Sequence, residues 1–433
     1  MRRKTGHSEK NAGEFFGWKL VSVLWCLDFC NMGIPLFAGA VINVYMLSQI
    51  PMNRSMFGLG FTLLNLFVGL PSMAIARSIV RCGVRVTFVI GALVVGAGAL
   101  WLAFLTFRPW QYLVGFGVLI GIGMGFGTNV PVATAITRWF RKYRGRAMSI
   151  ALTASGVGGF IGAPLLGRII SSYHGNFRVG WIVVAGVSAL SAASAYFFVV
   201  EYPSDLGQTM DGQPDDLRSN QHGRLTALVT EHTWTARDAY RTLSYWMIIA
   251  GAVACLYPFF FLTAHWILYL RGLGVTVADA TWAMATFTIT NIVGRLLGGF
   301  LIDFFHARYV FILGLICYLV ASVLMLGPMG PLLWRAMVAA SLFGSGFGCC
   351  FICMSTIIGN FFSHEAVPKL NGMMMLITAI VCSPAGLIGG KLFDVYRSYV
   401  PAFELNVLVT VLGIIAMAFA RMPKPFERQT SVV

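Results

Sequence analysis

Charge is what this chain of 433 residues has least of: 11% of its residues are Asp, Glu, Lys or Arg. A water-soluble protein carries about a quarter. That shortfall excludes an ordinary soluble enzyme, a disordered chain and a fibrous protein. Phosphate-binding loops of the G-x-x-x-x-G-K-[S/T] type are missing, so the chain is not expected to draw on ATP. No H-E-x-x-H pair occurs and the seven histidines are scattered singly, which argues against a membrane-embedded metal enzyme. The nine cysteines fall mostly inside apolar runs, so disulfides are not expected. Cys349, Cys350 and Cys353 resemble a metal cluster only in spacing, with no histidine beside them. Packing explains them better, and neither metal nor cofactor is expected.

What is abundant is apolar: 58% hydrophobic residues, 14% aromatics and 48 glycines. A bilayer-spanning helix needs about 20 mostly apolar residues, and small residues let such helices approach closely. Hydrophobic runs set against turn and charge signals give twelve segments. They are 19–46, 55–76, 85–106, 111–138, 146–171, 178–200, 244–270, 280–303, 309–327, 332–361, 369–391 and 401–421. The expected fold is an all-α polytopic membrane protein of twelve transmembrane helices in two six-helix halves. The first run follows 19 polar residues and lacks a small-residue cleavage site, so it reads as a retained helix. Between segments six and seven, Glu201 to Leu243 hold seven of the 16 acidic residues. The expected division is therefore a half over 1–200, a cytoplasmic linker over 201–243 and a half over 244–433.

A net charge of +15 would suit a nucleic-acid partner if it formed one patch. Here the basic residues sit in short clusters between apolar runs, where they set topology. With both termini cytoplasmic, 22 of the 31 Lys and Arg face the cytoplasm and eight the other side. A plasma (inner) membrane location with cytoplasmic termini follows as the expectation.

The halves also repeat. Gly123-Met-Gly-Phe-Gly127 in segment four matches Gly344-Ser-Gly-Phe-Gly348 in segment ten, 221 residues later. Pro35 matches Pro258, and Gly167-Arg168 matches Gly390-Lys391, both at an offset of 223. Three matches at nearly one offset point to a duplicated six-helix unit, an architecture suited to alternating access about a central site.

The loop after segment eight reads Gly299-Phe-Leu301-Ile-Asp303-Phe-Phe-His-Ala-Arg308. It resembles the G-x-L-x-D-R-x-G-x-R signature of the major facilitator superfamily. The first-half counterpart, from Ala76 through Val80 and Gly83 to Arg85, has valine where the family has aspartate. Within that superfamily the chain is similar to the monocarboxylate transporters and oxalate/formate antiporters. The similarity lies in Gly17-Trp18, Arg138-Trp139-Phe140, Tyr202-Pro203, Thr235-Ala236-Arg237-Asp238-Ala239 and Asn291-x-x-x-Arg295. It implies alternating-access transport, with Arg295 binding a substrate carboxylate. A helix-one lysine of the animal-type transporters is absent, since Leu36 follows Pro35. The antiporters use a helix-eleven lysine, which leaves Lys391 a secondary candidate. For Lys391 and Arg168, which end their helices on the outer side, snorkelling is the favoured explanation.

Arg295 lies eight residues before Asp303, about 12 Å from the helix end, where an arginine costs about 3 kcal/mol to insert. An anionic substrate would compensate it, and so would an internal acid. Asp28 is the acid embedded in an apolar segment. It is the proton-coupling candidate, with a permanent ion pair to Arg295 or a polar interhelical contact as alternatives. Asn291 stands one turn from Arg295 on the same face. Tyr257 and Asn129 complete the substrate-binding candidates. The gating candidates are His265 near the outer end and Asp303 and Arg308 at the cytoplasmic loop. The expected function is secondary transport of small organic anions, with monocarboxylates foremost and symport or antiport open. Expected partners are that anion, protons if Asp28 couples them, and the lipid bilayer, with no nucleic acid and the oligomeric state open. An exporter of neutral or cationic molecules and a non-transporting sensor on the same fold are the alternatives.

Overall fold

A computed structural model describes residues 15–140, 143–212, 234–302, 304–327, 333–362 and 367–423. No strand occurs among them, and eleven helices are long and apolar enough to cross a membrane. In chain order the first six helices are α1 (Gly17–Gln49), α2 (Arg54–Gly69), which at 16 residues is the one not counted among the eleven, α3 (Ser72–Phe104), α4 (Pro109–Trp139), α5 (Arg144–Ser172) and α6 (Phe177–Phe198). The second six are α7 (Leu243–Gly272), α8 (Val277–Ile302), α9 (Ala307–Leu326), α10 (Leu333–Phe361), α11 (Lys369–Tyr396) and α12 (Val400–Phe419). Most of the expected linker, 213–233, lies outside the described residues.

Segments two and three divide differently from the sequence expectation. α2 ends at Gly69, turns through Leu70 and Pro71, and resumes as the first arm of α3. The chain reverses at Gly83, whose φ of 88° and ψ of 170° fall in a region only glycine occupies readily. A Cβ there would also lie 2.4 Å from Glu201 Oε1. Glu201 accepts from the Arg85 amide at 2.8 Å and pairs with Arg138. So where Val80 replaces the expected acid, Glu201 at the end of α6 supplies the carboxylate that fastens this loop to α4.

Proline shapes the central helices. Pro35 has no N–H and its ring excludes the carbonyl one turn back. α1 accordingly widens into π-type turns over Phe29–Ala38. Pro131 acts likewise on α4, which breaks at Thr128, with φ −135° and ψ −116°. The Thr128 hydroxyl donates back to the Met124 carbonyl at 2.7 Å and closes the upper piece.

The glycine strings face comparable neighbours in the two halves, in a register shifted by two from the literal match. Gly121 and Gly125 would meet α2 and Gly123 would meet α3, as Gly344 and Gly348 meet α8 and Gly346 meets α9. The structural offset is thus 223, the same as for the proline and helix-end pairs. Side-chain size was a poorer guide than the backbone contact each glycine makes.

The first and second six helices meet along α2–α11 and α5–α8. The α2–α11 approach is backbone on backbone: a Cβ on Gly58 would lie 2.0 Å from the Gly386 carbonyl oxygen.

The strain at Gly83 gives a direct test. Gly83→Ala should destabilise the protein by about 1–3 kcal/mol, read as a lowered melting temperature in detergent. Adding Glu201→Ala should relieve the clash but not the backbone term, so the double variant should remain below Glu201→Ala alone.

Candidate functional site

Arg295 and Asp28 sit deep in the bundle on opposite sides of the seam. Asp28 is eleven residues into α1, about 16 Å from its start, and Arg295 is seven residues, about 10 Å, before the end of α8. Asp28 is fully buried. Neither of its carboxylate oxygens finds a hydrogen-bond partner within 3.5 Å among the described residues. The Ser155 backbone of α5 is near enough for a weak hydrogen bond, and the Arg295 charge acts on it from farther off. No contact-distance ion pair joins it to Arg295.

Arg295 is held by neutral groups. Its Nε donates to Asn291 Oδ1 at 3.1 Å and its Nη1 to the Leu152 carbonyl at 3.0 Å. The second bond crosses from α8 to α5, so this side chain stitches the two sets of six helices together. The guanidinium also lies 4.8 Å from the Phe351 ring centroid and 5.9 Å from that of Phe347. Phe347 stacks on Phe259 of α7 at 4.1 Å, which makes an aromatic wall beside the cation. A planar fork with donors still free, an aromatic wall and an uncompensated acid can receive a carboxylate.

Of the other candidates, Asn291 is gathered here. Tyr257 is buried on α7 and faces Cys382 of α11. Asn129 opens the lower piece of α4 with its side chain exposed. Asn31 was missed as a site residue. It is fully buried, both of its amide atoms lack partners among the described residues, and it abuts Gly127 just before the α4 break. Its signal was present, since it stands three residues after Asp28 in the same apolar run.

At the end of the bundle holding Gln49 and Arg54, called here the far end, a polar network closes the α2–α11 seam. The Asp394 carboxylate accepts from the backbone amides of Arg54 at 3.3 Å and Ser55 at 2.9 Å, and from the Ser55 hydroxyl. A carboxylate on α11 thus caps the N-terminus of α2, where the helix dipole favours it. Arg54 lies 3.8 Å over the Phe393 ring and donates to the Tyr399 hydroxyl at 2.9 Å. His265 is within 3.0 Å of that hydroxyl through Nδ1 and 2.7 Å of the Gly386 carbonyl through Nε2. A carbonyl only accepts, so Nε2 carries the proton and Nδ1 accepts from Tyr399. His265 is therefore a fully satisfied interface group inside the seam. Arg54, Asp394 and Tyr399 were not anticipated as gating residues.

At the opposite end, Asp303 lies outside the described residues. Arg308 donates to the Ala420 carbonyl at 2.6 Å and to the Tyr309 hydroxyl at 2.9 Å, contacts within the second six helices. His306 beside it is held below the usual imidazole range by burial and by Arg308. Its neutral Nδ1 accepts from the Arg308 amide at 3.2 Å. Among the described residues no group of three or more His, Cys, Asp or Glu could hold a metal ion.

The model of the Major Facilitator Superfamily matches this chain over residues 23–270 and 246–432. The chain belongs to the major facilitator superfamily. It is a multi-pass membrane transporter with that superfamily's fold. Monocarboxylate transporter 12 of Rattus norvegicus is 24% identical over 362 residues, 78% of this chain and 72% of the relative. The MFS-type transporter YcxA of Bacillus subtilis is 21% identical over 84% of this chain and 85% of its own length. Among solved structures, an inward-facing, unoccupied bacterial homologue of the lysosomal transporter Spinster superposes with a TM-score of 0.68 at 17% identity, covering 96% of this chain and 97% of that one. The nucleoside transporter NupG also gives 0.68, at 14% identity over 93% and 99%.

If the far-end network seals the transporter, its loss should expose what lies under it. Thr62 is 8% exposed, and its hydroxyl accepts from the Leu387 amide at 3.2 Å. In a background lacking the native cysteines, Thr62→Cys should resist an impermeant thiol reagent. With Arg54→Ala and Asp394→Ala added, it should label from the far side.

Proposed function

We propose that this chain carries small organic anions, monocarboxylates foremost, by rocking the half 1–200 against the half 244–433. Arg295 supports this reading above all. It is a deep cation with no acid at contact distance, beside an aromatic wall, on the seam that rocking must open and close. An arginine at that depth costs about 3 kcal/mol and is retained where something anionic visits it. The relatives named monocarboxylate transporter 12, at 22–24% identity, lend weight to a carboxylate over a neutral solute. Asn291 orients the guanidinium, and Asn31 and Asn129 offer hydrogen bonds from the first half. Tyr257 contributes from α7.

Asp28 is the proposed proton carrier. It faces Arg295 across the site without pairing to it, so a substrate carboxylate and Asp28 would compete for the same cation. Protonation of Asp28 would remove that competition and favour loading. The Lys and Arg distribution supports cytoplasmic termini, and a plasma (inner) membrane is the proposed location. The far-end network of Arg54, Asp394, Tyr399 and His265 is then the outer gate, and the loop of Asp303 and Arg308 lies on the inner side.

Charge-assisted bonds to a carboxylate contribute roughly 1.5–3 kcal/mol, so losing the fork should weaken binding by about one to two orders of magnitude. In proteoliposomes, Arg295→Lys should take up labelled monocarboxylate weakly and Arg295→Ala hardly at all, with both correctly inserted. Normal uptake by Arg295→Ala would favour a neutral-solute carrier. Binding without any flux in the wild type would favour a sensor. Asp28→Asn should lose pH-driven accumulation while keeping substrate exchange. Accumulation by Asp28→Asn under an acid-outside gradient would remove Asp28 from coupling.

A further inference from the structure

A groove at the far end lies on the seam away from the Arg54–Asp394 network. It is a cavity of about 390 Å³ lined by Tyr45 of α1, Arg168 and Ser171 of α5, and Ala278, Thr281 and Trp282 of α8. Two of those helices belong to the first six and one to the second. Arg168 lies four residues before the end of α5 and Trp282 five after the start of α8, so both sit about 6–8 Å inside the helix ends. That is the depth at which Trp and Arg anchor at the boundary between headgroups and acyl chains. The Arg168 side chain is exposed on the rim of the cavity, and its guanidinium has no ion-pair or side-chain hydrogen-bond partner among the described residues. Tyr45 and Ser171 hydroxyls meet at 2.9 Å on the wall. In the first turn of α8 the Asp279 and Ala280 amides are taken by Thr276 at 3.1 and 3.0 Å, which leaves the amides of Val277 and Ala278, two residues of the lining. The Asp279 carboxylate accepts from the Thr276 hydroxyl at 2.7 Å and does not line the cavity. Below Arg168 on the same face, Leu165 and Ile161 are 53% and 49% exposed, an apolar track leading toward the membrane interior.

We propose that this cavity binds the phosphate-bearing headgroup of an anionic phospholipid, with its acyl chain along Leu165 and Ile161. Guanidinium, hydroxyls and a helix N-terminus together suit a phosphate, and an adjoining apolar track suits an amphiphile over a free ion. A headgroup seated here touches both sets of helices and so favours the arrangement in which the far end is closed. That consequence rests on the proposed rocking, whereas the binding itself does not.

The test uses the full chain in detergent, titrated with phosphatidylglycerol whose chains are brominated near the headgroup. The readout is the quenching that disappears in Trp282→Phe. Saturable quenching at a lipid concentration about tenfold below that for brominated phosphatidylcholine is expected. Arg168→Gln should raise that concentration about tenfold, while Arg271→Gln, another far-end cation, should leave it unchanged. Equal quenching by the two lipids, or no shift in Arg168→Gln with its melting temperature retained, would overturn the proposal. Displacement by low-millimolar inorganic phosphate would assign the cavity to a soluble anion and overturn it equally. Because no flux is read, failure here is separate from failure of the carboxylate reading.

Discussion

A half-buried arginine with no acid at contact distance sets the terms for the rest of this transporter. Arg295 is kept in place by an amide, a carbonyl from the opposite half and two aromatic faces. Each of these is a partial answer to its charge. A neutral acceptor offers a dipole where a carboxylate would offer a full charge, and an aromatic face contributes about 0.5–2 kcal/mol. Asp28 could have closed the account by pairing directly, and it stands off. The residual demand for an anion is built into α1 and α8, and it lies on the seam between the halves. In the proposed function, occupancy of the site and closure of the seam would be coupled through this one side chain.

The far end and the middle of the seam are held by different chemistry. At the far end a carboxylate caps a helix of the other half and a chain of hydrogen bonds runs from Arg54 through Tyr399 and His265 to Gly386. These groups are polar but individually modest, and in the proposed rocking they would part together as α2 leaves α11. In the middle, the Arg295–Leu152 bond ties α8 to α5. Under the proposed function, a substrate carboxylate would replace such a bond to a backbone carbonyl with little loss. At the Gly83 loop, Glu201 and Arg138 hold the first six helices to one another and take no part in the seam.

The twelve-helix architecture was legible because spans near 20 apolar residues leave few alternatives in a bilayer. Arg295 and Asn291 were legible as a pair because four residues are one helical turn, and the Nε–Oδ1 bond follows from that spacing. The far-end network was not, for a physical reason. Arg54 and Asp394 sit at helix ends, where charge is inexpensive and needs no partner, so nothing local marks them. Their meeting depends on the α2–α11 approach, about 340 residues apart in sequence. Glu201 was hidden similarly: the family pattern puts an acid at Val80, and its replacement comes from a different helix. The break at Thr128 was readable in hindsight from Pro131, three residues on.

The most direct measurement of the central claim compares one labelled monocarboxylate with its uncharged primary amide in wild-type proteoliposomes. If Arg295 reads a carboxylate, the acid should be taken up and the amide should neither enter nor compete at concentrations about tenfold higher. Equal uptake of the two, or competition by the amide at matched concentration, would contradict the account.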